Sequence, residues 1–256
     1  MNDIPENIVI TIDGVDVRVV PGELDYAVAN GAAIAENWQR QLADKPSLFN
    51  GGVYLAPQAR LDDGVLRAEF IRTHYETLLY WTRDPSKTRP WHIFGIGVVV
   101  SADNRLIAGR MAARTAGGGR IYFPAGSIDD DDIAGGRANY ARNAWREVME
   151  ETGLDLSRAE PEEKIHLVTA NRSIALFRRY YFSEKAAVLV ERIGQYLRAE
   201  SDPELDAVIE ISEPGQMGEA TPSYVRAFAD WHFNGAGGDR QWHGSMKSST
   251  YSLARR

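Results

Sequence analysis

Three glutamates with helical spacing are the residues of this chain whose types and positions best suit a chemical role. Glu147, Glu150 and Glu151 stand at i, i+3 and i+4, so a helix places their carboxylates in one narrow stripe. Like charges at these spacings repel each other by roughly a few tenths of a kcal/mol per pair. We therefore expect the stripe to hold a positive partner, and a divalent metal ion is the first candidate.

The helix that carries the glutamates is predicted over residues 138–152. Apolar residues that recur at i, i+3, i+4 and i+7 predict its buried side, which consists of Ala141, Ala144, Trp145 and Val148. Gly153 follows where a left-handed C-cap favours a residue without a β-carbon. Acidic pairs near a helix C-terminus also occur on ordinary solvated faces, where the helix dipole disfavours them, so the surrounding motif has to decide between the two interpretations.

The composition excludes several classes of function. The chain has 256 residues, a net charge of −7 and no cysteine, which excludes disulfides, thiolate zinc sites and cysteine nucleophiles and leaves no basic stripe for nucleic acid. The first residues lack the segments of a signal peptide, and the longest apolar run, near residues 93–100, is too short to span a membrane. We expect a soluble cytoplasmic protein that binds neither nucleic acid nor a membrane.

Turn signals and apolar alternation divide residues 1–90 into a strand, helix and hairpin extension. The predicted elements are a hairpin over residues 8–20 that turns at Asp13-Gly14, an amphipathic helix over 23–42, a strand pair over 53–70 that turns at 62–64, and a short helix over 74–81. The proline-bounded segment 85–90 is the predicted domain boundary.

Residues 91–233 are predicted to form a second domain of mixed α/β class. Its predicted strands cover residues 92–100, 105–114, 120–123, 165–182 with a break near Asn171, and 205–211, and further helices cover 186–199 and 223–233. This order favours a mixed α/β sandwich over a doubly wound sheet. Residues 234–256 are rich in Gly, Ser and Arg and are predicted to be a flexible tail.

The sequence around the glutamates resembles a family motif. Residues 146–154 read REVMEETGL and match all seven defined positions in the second half of the Nudix box, which are Arg-Glu, an aliphatic residue, Glu-Glu, Gly and an aliphatic residue. The preceding Phe123-Pro124-Ala125-Gly126 is similar to the Pro-Gly-Gly entry of that family's loop. The resemblance to Nudix hydrolases covers about residues 91–233 and implies a Nudix-like α/β/α sandwich, with residues 1–90 as an N-terminal extension.

The same resemblance implies the chemistry of the site. The reaction would be the hydrolysis of a diphosphate linked to another group X, with Mg²⁺ or Mn²⁺ as cofactor. Glu147, Glu150 and Glu151 would be the metal ligands, and Glu150, Glu151 and Arg146 the catalytic set. The planar guanidinium of Arg146 would hold the carboxylates through charge-assisted hydrogen bonds.

The first half of the box differs from the family pattern. Eight residues before Arg146 stands Ala138, where the family has a glutamate, and six residues earlier stands Asp132, where the family has a glycine. If Gly126 is the box glycine, the loop carries six extra residues, centred on the four aspartates of residues 129–132. The family's first glutamate mainly supports the helix and orients its neighbours, so the loss of it in a long-loop variant need not abolish activity.

Residues outside the motif complete the candidate site. Glu204 is a candidate catalytic base, with Glu160, Glu162 and Glu163 as alternatives. Substrate phosphates on an acidic protein need cations, and the candidates are Arg110, Arg114 and Arg120. Each of these residues is individually more often a surface residue or an ordinary salt-bridge partner.

Two classes of function stay open from the sequence. The first is a metal-dependent diphosphatase acting on a small nucleotide-type substrate, with a nucleotide sugar as the first guess and coenzyme A or a dinucleotide next. The second is a non-catalytic Nudix-fold module that senses a nucleotide. The intact set of three glutamates favours the enzyme, whereas Ala138 favours the module. A homodimer is one of the arrangements that the sequence leaves open.

Overall fold

The computed structural model describes residues 4–86, 88–113, 115 and 117–235. Its strands are β1 (Ile10–Ile12), β2 (Gly14–Val19), β3 (Gly52–Leu55), β4 (Ala59–Asp62), β5 (Val65–His74), β6 (His92–Val100), β7 (Leu106–Met111), β8 (Ile121–Tyr122), β9 (Ile133–Ala134), β10 (Arg137–Ala138), β11 (Glu160–Pro161), β12 (Ile165–Ala170), β13 (Ser173–Tyr181) and β14 (Leu205–Ile211). Its helices are α1 (Asp25–Ala29), α2 (Gly31–Asp44), α3 (Tyr75–Trp81), α4 (Tyr140–Thr152), α5 (Ala186–Ala199) and α6 (Ser223–Asn234), with short 3-10 helices at Asp130–Asp132, Leu156–Arg158 and Pro214–Met217.

The strands form two sheets of mixed direction. The larger sheet has the order β1, β12, β13, β6, β7, β14, with β11 beside β13 and β8 beside β7. The smaller sheet has the order β3, β5, β2, β10, β9, with β4 beside β5. The central pairs β13–β6 and β2–β5 are parallel, and the other pairs are antiparallel. The predicted mixed α/β class is confirmed.

Helices cover both faces of the larger sheet. On one face Val99 of β6 shares a core with Val148 of α4 and Leu189 of α5. On the opposite face Phe177 of β13 stacks on Phe228 of α6, with ring centroids 4.2 Å apart. Alternate residues of each central strand therefore serve two different cores, which is why these strands are almost continuously apolar.

The smaller sheet joins the larger one through a shared apolar core. Leu66 and Phe70 of β5 lie in the same cluster as Ile93 of β6, Leu176 of β13 and Tyr140 of α4. The two sides of the predicted boundary at 85–90 also contribute strands to each other's sheets. β1, from before the boundary, pairs with β12 in the larger sheet, and β10, from after it, pairs with β2 in the smaller sheet. The division into two domains stays a prediction.

The hairpin predicted over residues 8–20 is wrong, because its two strands belong to different sheets. β1 pairs with β12, whereas β2 pairs with β5 and β10. Asp13 alone separates the two strands, and its backbone N–H donates to the Gly64 carbonyl oxygen at 2.7 Å. The chain therefore crosses from one sheet to the other at Asp13 instead of folding back on itself.

The single helix predicted over residues 23–42 is wrong in one respect: it is two helices, α1 and α2. Asn30, between them, has φ −109° and ψ 12°, outside the helical range. The Asn30 side-chain amide donates to the Tyr26 carbonyl oxygen at 2.8 Å, which gives the backbone a partner that competes with the helix.

Several local predictions are confirmed. The turn predicted at 62–64 joins β4 to β5, with positive φ at Asp63 (46°) and Gly64 (74°). The predicted break near Asn171 separates β12 from β13. No helix in the described residues has the length and apolar character that a membrane crossing requires. The predicted tail lies, beyond Gly235, outside the described residues.

Candidate active site

Helix α4 presents the glutamates and is fixed at both ends. The Asn139 side chain caps its start by accepting from the Arg142 backbone N–H at 3.0 Å. Gly153 ends it with φ 68°, the left-handed cap that the sequence predicts. Two glycines of β6 let the helix approach closely, since an added Cβ would lie 2.9 Å from the Tyr140 carbonyl oxygen at Gly95 and 2.9 Å from Val148 Cγ2 at Gly97.

The buried side of α4 differs from the predicted one. Ala144 and Val148 are buried as expected, but Ala141 and Trp145 are exposed. The residues that the structure buries are Tyr140, Asn143, Ala144, Val148, Glu151 and Thr152. Compared with the predicted orientation, the helix is rotated about its axis so that Glu151, and not the Trp145 ring, faces the interior.

Arg146 holds two of the glutamates. Its Nη1 lies 2.8 Å from Glu147 Oε1 and 3.2 Å from Glu150 Oε2, so both carboxylates share one nitrogen. The Glu147 side chain is only 12% exposed, whereas that of Glu150 is 59% exposed. The predicted charge-assisted role of Arg146 toward these carboxylates therefore has a geometric basis in this structure.

Glu151 is held from the other side, by the strand and loop that precede the helix. The Tyr122 hydroxyl donates to Glu151 Oε2, and the Ala125 backbone N–H donates to Oε1 at 3.3 Å. Only 7% of the Glu151 residue is exposed. Tyr122 is a site residue that the sequence reasoning did not assign, and its place directly before Phe123-Pro124 gave no signal of this role.

Gly126 brings the loop backbone against Glu147. A Cβ at position 126 would lie 2.3–2.5 Å from the three carboxylate atoms of Glu147. Any larger residue would therefore displace that carboxylate. This close approach explains why the Pro-Ala-Gly segment ends in glycine.

A cavity of about 230 Å³ opens beside the glutamates. It is lined by Glu147, Glu150, Glu151, Tyr196, Leu197, Glu200, Asp202, Pro203 and Glu204. Glu204 therefore lies in the same cavity as the three glutamates, as expected of a base candidate. Glu200 and Asp202 were not predicted, although the acidic run just before β14 was the signal that could have found them.

The crowding of carboxylates changes their proton affinity. Burial raises the pKa of Glu147 to about 7, with Glu150 and Glu204 adding to the effect and Arg146 opposing it. Burial raises the pKa of Glu151 to about 8, with the hydrogen bond from Tyr122 opposing the rise. A site that disfavours the ionised form of two carboxylates is one that a cation would stabilise.

The donor set suits a hard divalent cation in its chemistry, but it is not preformed as a ligand cage. The carboxylates that line the cavity supply the oxygen donors that Mg²⁺ and Mn²⁺ prefer. Across the described ranges, no group of three or more His, Cys, Asp or Glu side chains is arranged to hold a metal ion. Arg146 would have to release Glu147 and Glu150, and Tyr122 would have to share Glu151.

Arg110 and Arg120, two of the three predicted phosphate-binding arginines, are not among the described residues that line this cavity. Arg110 pairs with Asp206, with 2.6 Å between its Nε and Asp206 Oδ1. Arg120 is exposed and directly precedes β8. It lies near Tyr224 of α6, where burial raises the pKa of the tyrosine to about 12 and the positive charge of Arg120 opposes that rise. Arg114 lies outside the described residues.

The acidic loop before α4 supplies a contact that the sequence reasoning missed. Asp132 is fully buried, and its Oδ2 accepts from Arg146 Nη2 and Asn143 Nδ2, both at 2.9 Å. Asp129 Oδ2 lies 3.1 Å from the same Arg146 nitrogen. Arg146 thus contacts four carboxylates. Asp132 gave no signal beyond its place in a charge run, and such runs are usually solvated.

Comparisons with known proteins find several solved structures to which this chain is similar. The sequence matches no protein-family model and no curated protein. The MutT protein from Methanosarcina mazei Go1 is 16% identical, with a TM-score of 0.37, and the match covers 57% of this chain and 94% of that one. The Nudix hydrolase RenU from M. smegmatis is 11% identical, with a TM-score of 0.37 and coverage of 56% and 81%.

A third similar structure is the bifunctional NMN adenylyltransferase/ADP ribose pyrophosphatase from Francisella tularensis, complexed with AMP and an Mn ion. It is 16% identical, with a TM-score of 0.39, and the match covers 61% of this chain and 44% of that one. Nudix hydrolases, the family that residues 146–154 resemble, are therefore among the solved structures to which this chain is similar. The similarity concerns the course of the chain over about half to three fifths of its length.

Proposed function

We propose that this protein is a metal-dependent diphosphatase that hydrolyses a nucleoside diphosphate linked to another moiety. One observation carries the proposal: Glu147, Glu150, Glu151 and Glu204 line a single cavity at the end of a capped, tightly packed helix. A protein gains no stability from collecting four carboxylates in one cavity, where those of Glu147 and Glu151 are largely buried. A bound cation would compensate for their repulsion.

Glu147, Glu150 and Glu151 are the residues that would hold the ion. When bound, Mg²⁺ or Mn²⁺ would neutralise diphosphate oxygens and lower the pKa of an attacking water. Arg146 would keep the carboxylates oriented, since its Nη1 already contacts Glu147 and Glu150. Tyr122 and the Ala125 N–H would orient Glu151 through their hydrogen bonds.

Glu204 is the residue that we assign as general base. Water would add its oxygen to one phosphorus, the bridging P–O bond would break, and the proton of the water would pass to the Glu204 carboxylate. The two products would leave as phosphate esters. Glu204 suits this role because it faces the three glutamates from a different element, the segment before β14.

The substrate class follows from charge. The cavity is lined by carboxylates, so an anionic diphosphate would enter only together with a cation. Arg120 is exposed and offers a contact for a more distant part of the substrate. A nucleotide sugar is our first candidate, with coenzyme A and dinucleotides next.

The test is a panel assay on the full chain. We expect Mg²⁺-dependent cleavage of the diphosphate in at least one member of a panel of nucleotide sugars, dinucleotides and coenzyme A, and no cleavage after chelation. The product measured is a nucleoside 5′-phosphate, which carries an additional 3′-phosphate when it comes from coenzyme A. Absence of hydrolysis across the panel, with either Mg²⁺ or Mn²⁺, would overturn the proposal.

The second candidate is a nucleotide-sensing module without activity. The contacts that favour it are those of Arg146, which occupies the carboxylates of Glu147 and Glu150. In a sensor these ion pairs would persist, and nucleotide would bind without cleavage. Saturable nucleotide binding in the same panel, without any product, would favour the sensor.

A further inference from the structure

We infer that the acidic loop of residues 129–132 ties helix α4 to the smaller sheet, which makes Arg72 and Tyr54 positioning residues for the candidate metal site. The inference rests on the proposed function, because the site that it positions is the proposed one. The sheet residues of this tie, Tyr54 and Arg72, come from the N-terminal part of the chain, outside the region that resembles the Nudix family. We call the loop with its contacts on both sides the acidic tie.

The inner end of the acidic tie fixes Arg146. Asp132 is fully buried, and its Oδ2 accepts from Arg146 Nη2 at 2.9 Å and from Asn143 Nδ2 at 2.9 Å. Asp129 Oδ2 adds a contact at 3.1 Å to the same nitrogen. The Nη2 end of the guanidinium is thus held by the loop, while its Nη1 end contacts Glu147 and Glu150. Arg146 could release the glutamates to a cation and still keep its place.

The outer end of the acidic tie is built on the smaller sheet. Asp130 receives two parallel hydrogen bonds from Arg72 of β5, Nε to Oδ1 at 2.8 Å and Nη2 to Oδ2 at 2.6 Å. The Tyr54 hydroxyl of β3 donates to Asp130 Oδ1 at 2.7 Å. A paired fork of this kind fixes direction as well as distance. Tyr54 is itself buried, at 6% exposure, beside Phe70.

Gly52 keeps this outer contact possible. A Cβ at position 52 would lie 2.4 Å from Arg72 Nη2 and 2.8 Å from Asp130 Oδ2. The backbone of β3 therefore leaves space for the ion pair, just as Gly126 leaves space for Glu147. The Arg72 and Asp130 side chains are 47% and 54% exposed, and the hydrogen bond from the buried Tyr54 is what distinguishes their pair from an isolated surface salt bridge.

The two ends are joined by a short rigid segment. Residues Asp130–Asp132 form one 3-10 turn, and Asp129 caps it by accepting from the Asp131 backbone N–H at 2.9 Å. Asp130 faces the sheet and Asp132 faces the helix, with a single residue between them. A displacement of Asp130 is therefore passed on to Asp132 and from there to Arg146.

The experiment measures Mn²⁺ affinity of the full-length chain by the electron paramagnetic resonance signal of free Mn²⁺, with the melting temperature recorded for each variant. Arg72→Gln and Asp130→Asn should each weaken Mn²⁺ binding by about threefold, and Asp132→Asn by about tenfold or more, as outer partners of a metal site do. The double variant Arg72→Gln/Asp130→Asn should be no weaker than either single one, because both remove the same pair.

Matched controls separate the acidic tie from a general change in charge. Asp131→Asn removes the same charge from the same loop at an exposed position, and Arg60→Gln removes a 70% exposed arginine of β4. Both should leave Mn²⁺ affinity within about twofold of the wild type. Arg72→Lys, which keeps the charge but loses the fork, should fall between the wild type and Arg72→Gln.

The outcomes distinguish this inference from the proposed function. If wild-type protein binds Mn²⁺ and Asp130→Asn behaves as Asp131→Asn does, the acidic tie is overturned and the proposed function stands. If the wild-type chain binds neither Mn²⁺ nor Mg²⁺, the proposed function falls and takes the positioning role with it. Amide hydrogen exchange at the start of α4, measured without metal, should rise in Asp130→Asn but not in Asp131→Asn. Equal exchange in the two variants would contradict the tie itself.

Discussion

Arg146 contacts four carboxylates, and this crowding controls the chemistry at the scale of single residues. Glu147 and Glu150 lie on one end of its guanidinium, and Asp129 and Asp132 lie on the other. A lysine could not hold two pairs on opposite ends, because its ammonium is a single point charge. The single positive charge of Arg146 does not balance these four carboxylates, and a divalent ion would neutralise the remaining negative charge.

At the residue scale, Gly126→Ala should impair the site without unfolding the protein. The new methyl group would lie within 2.5 Å of the Glu147 carboxylate and would move it, while the flexible side chain can yield at little cost in stability. We expect kcat/KM for the panel substrate to fall by roughly tenfold, since a displacement of this size matters at a metal site. Steady-state kinetics and the melting temperature check this.

Gly215→Ala is the control for this substitution, because a Cβ there would meet nothing within 4 Å. Its kinetics should equal those of the wild type. Equal kinetics in Gly126→Ala would show that the Glu147 carboxylate position is unimportant for turnover.

At the scale of elements, the strands β6 and β8 and the helix α4 determine where the glutamates stand. Gly95 and Gly97 of β6 allow the helix to lie against the sheet, and Tyr122 of β8 reaches across to Glu151. The rotation of α4 that buries Glu151 follows from this packing. It exposes Trp145, whose indole N–H donates to Asp155 Oδ1 at 2.9 Å instead of entering the core.

The element-scale prediction concerns Gly97→Ala. The added methyl group would lie 2.9 Å from Val148 Cγ2 and 3.1 Å from Leu156 Cδ1, so α4 would have to shift away from the sheet. We expect a loss of about 1–3 kcal/mol in the free energy of unfolding, as overpacked cores show. Urea unfolding measures this. Gly14→Ala, whose nearest contact would be Val65 at 3.9 Å, should change stability by less than half as much.

The sequence predicted several elements whose signals are local. The cap at Gly153, the turn at Asp63-Gly64 and helix α5 over residues 186–199 depend on residues close together in the chain, and all are confirmed. The hairpin over residues 8–20 failed because partner choice depends on long-range pairing, and Asp13 gives no sign of which sheet each strand joins.

In the candidate site, too, the residues that share a local motif could be predicted and those from distant segments could not. Glu147, Glu150 and Glu151 share a motif that is contiguous in sequence, so their grouping could be predicted from spacing alone. Tyr122, Asp132 and Asp202 come from three separate segments, and only the folded chain brings them close to α4 and its glutamates. The burial of Asp132 is also invisible in sequence, because aspartate runs usually face solvent.

At the scale of the whole molecule, two sheets share one core while the acidic site lies at the edge of α4. The net charge of −7 means that the protein as a whole attracts cations and repels a free diphosphate. A second buried polar cluster lies on the α6 face of the larger sheet: Glu162 Oε1 lies 2.5 Å from Arg179 Nη2, and His232 Nδ1 lies 3.1 Å from Arg179 Nη1.

Two buried histidines make the stability of the folded molecule depend on pH. Burial lowers the pKa of His92 to about 4 and that of His232 to about 4. Below about pH 6.5 these histidines take up protons in the unfolded chain but not in the folded chain, so their contribution to stability falls as the pH falls from about 6.5 to about 4. Glu147 and Glu151 act in the opposite direction, because their raised pKa values mean that the folded chain takes up protons before the unfolded chain does as the pH falls. We therefore expect the two histidines to contribute a loss of about 2 kcal/mol or more between pH 7 and pH 5, measured as the difference in the free energy of unfolding between the wild type and the double variant His92→Gln/His232→Gln.

Urea unfolding at pH 7, 6 and 5 checks this dependence. Below this range a further loss is expected from Glu162: burial alone would raise its pKa, but hydrogen bonds with Arg179 and His166 hold the pKa at about 2. Its contribution is therefore present above about pH 4.5 and is lost toward pH 2. Between pH 7 and pH 5 the variant His232→Gln should gain stability relative to the wild type, and an unchanged difference between the two proteins would contradict the assignment.

The most direct test of the central claim is the Mg²⁺ dependence of turnover in Glu150→Gln beside Glu36→Gln. Glu36, like Glu150, is an exposed helical glutamate with an arginine four residues away. It belongs to a different helix, α2, in the N-terminal part of the chain. We predict that Glu150→Gln lowers kcat by at least about tenfold at saturating Mg²⁺ with an unchanged melting temperature, while Glu36→Gln matches the wild type. An unchanged kcat in Glu150→Gln would contradict the assignment of the glutamate stripe as a catalytic metal site.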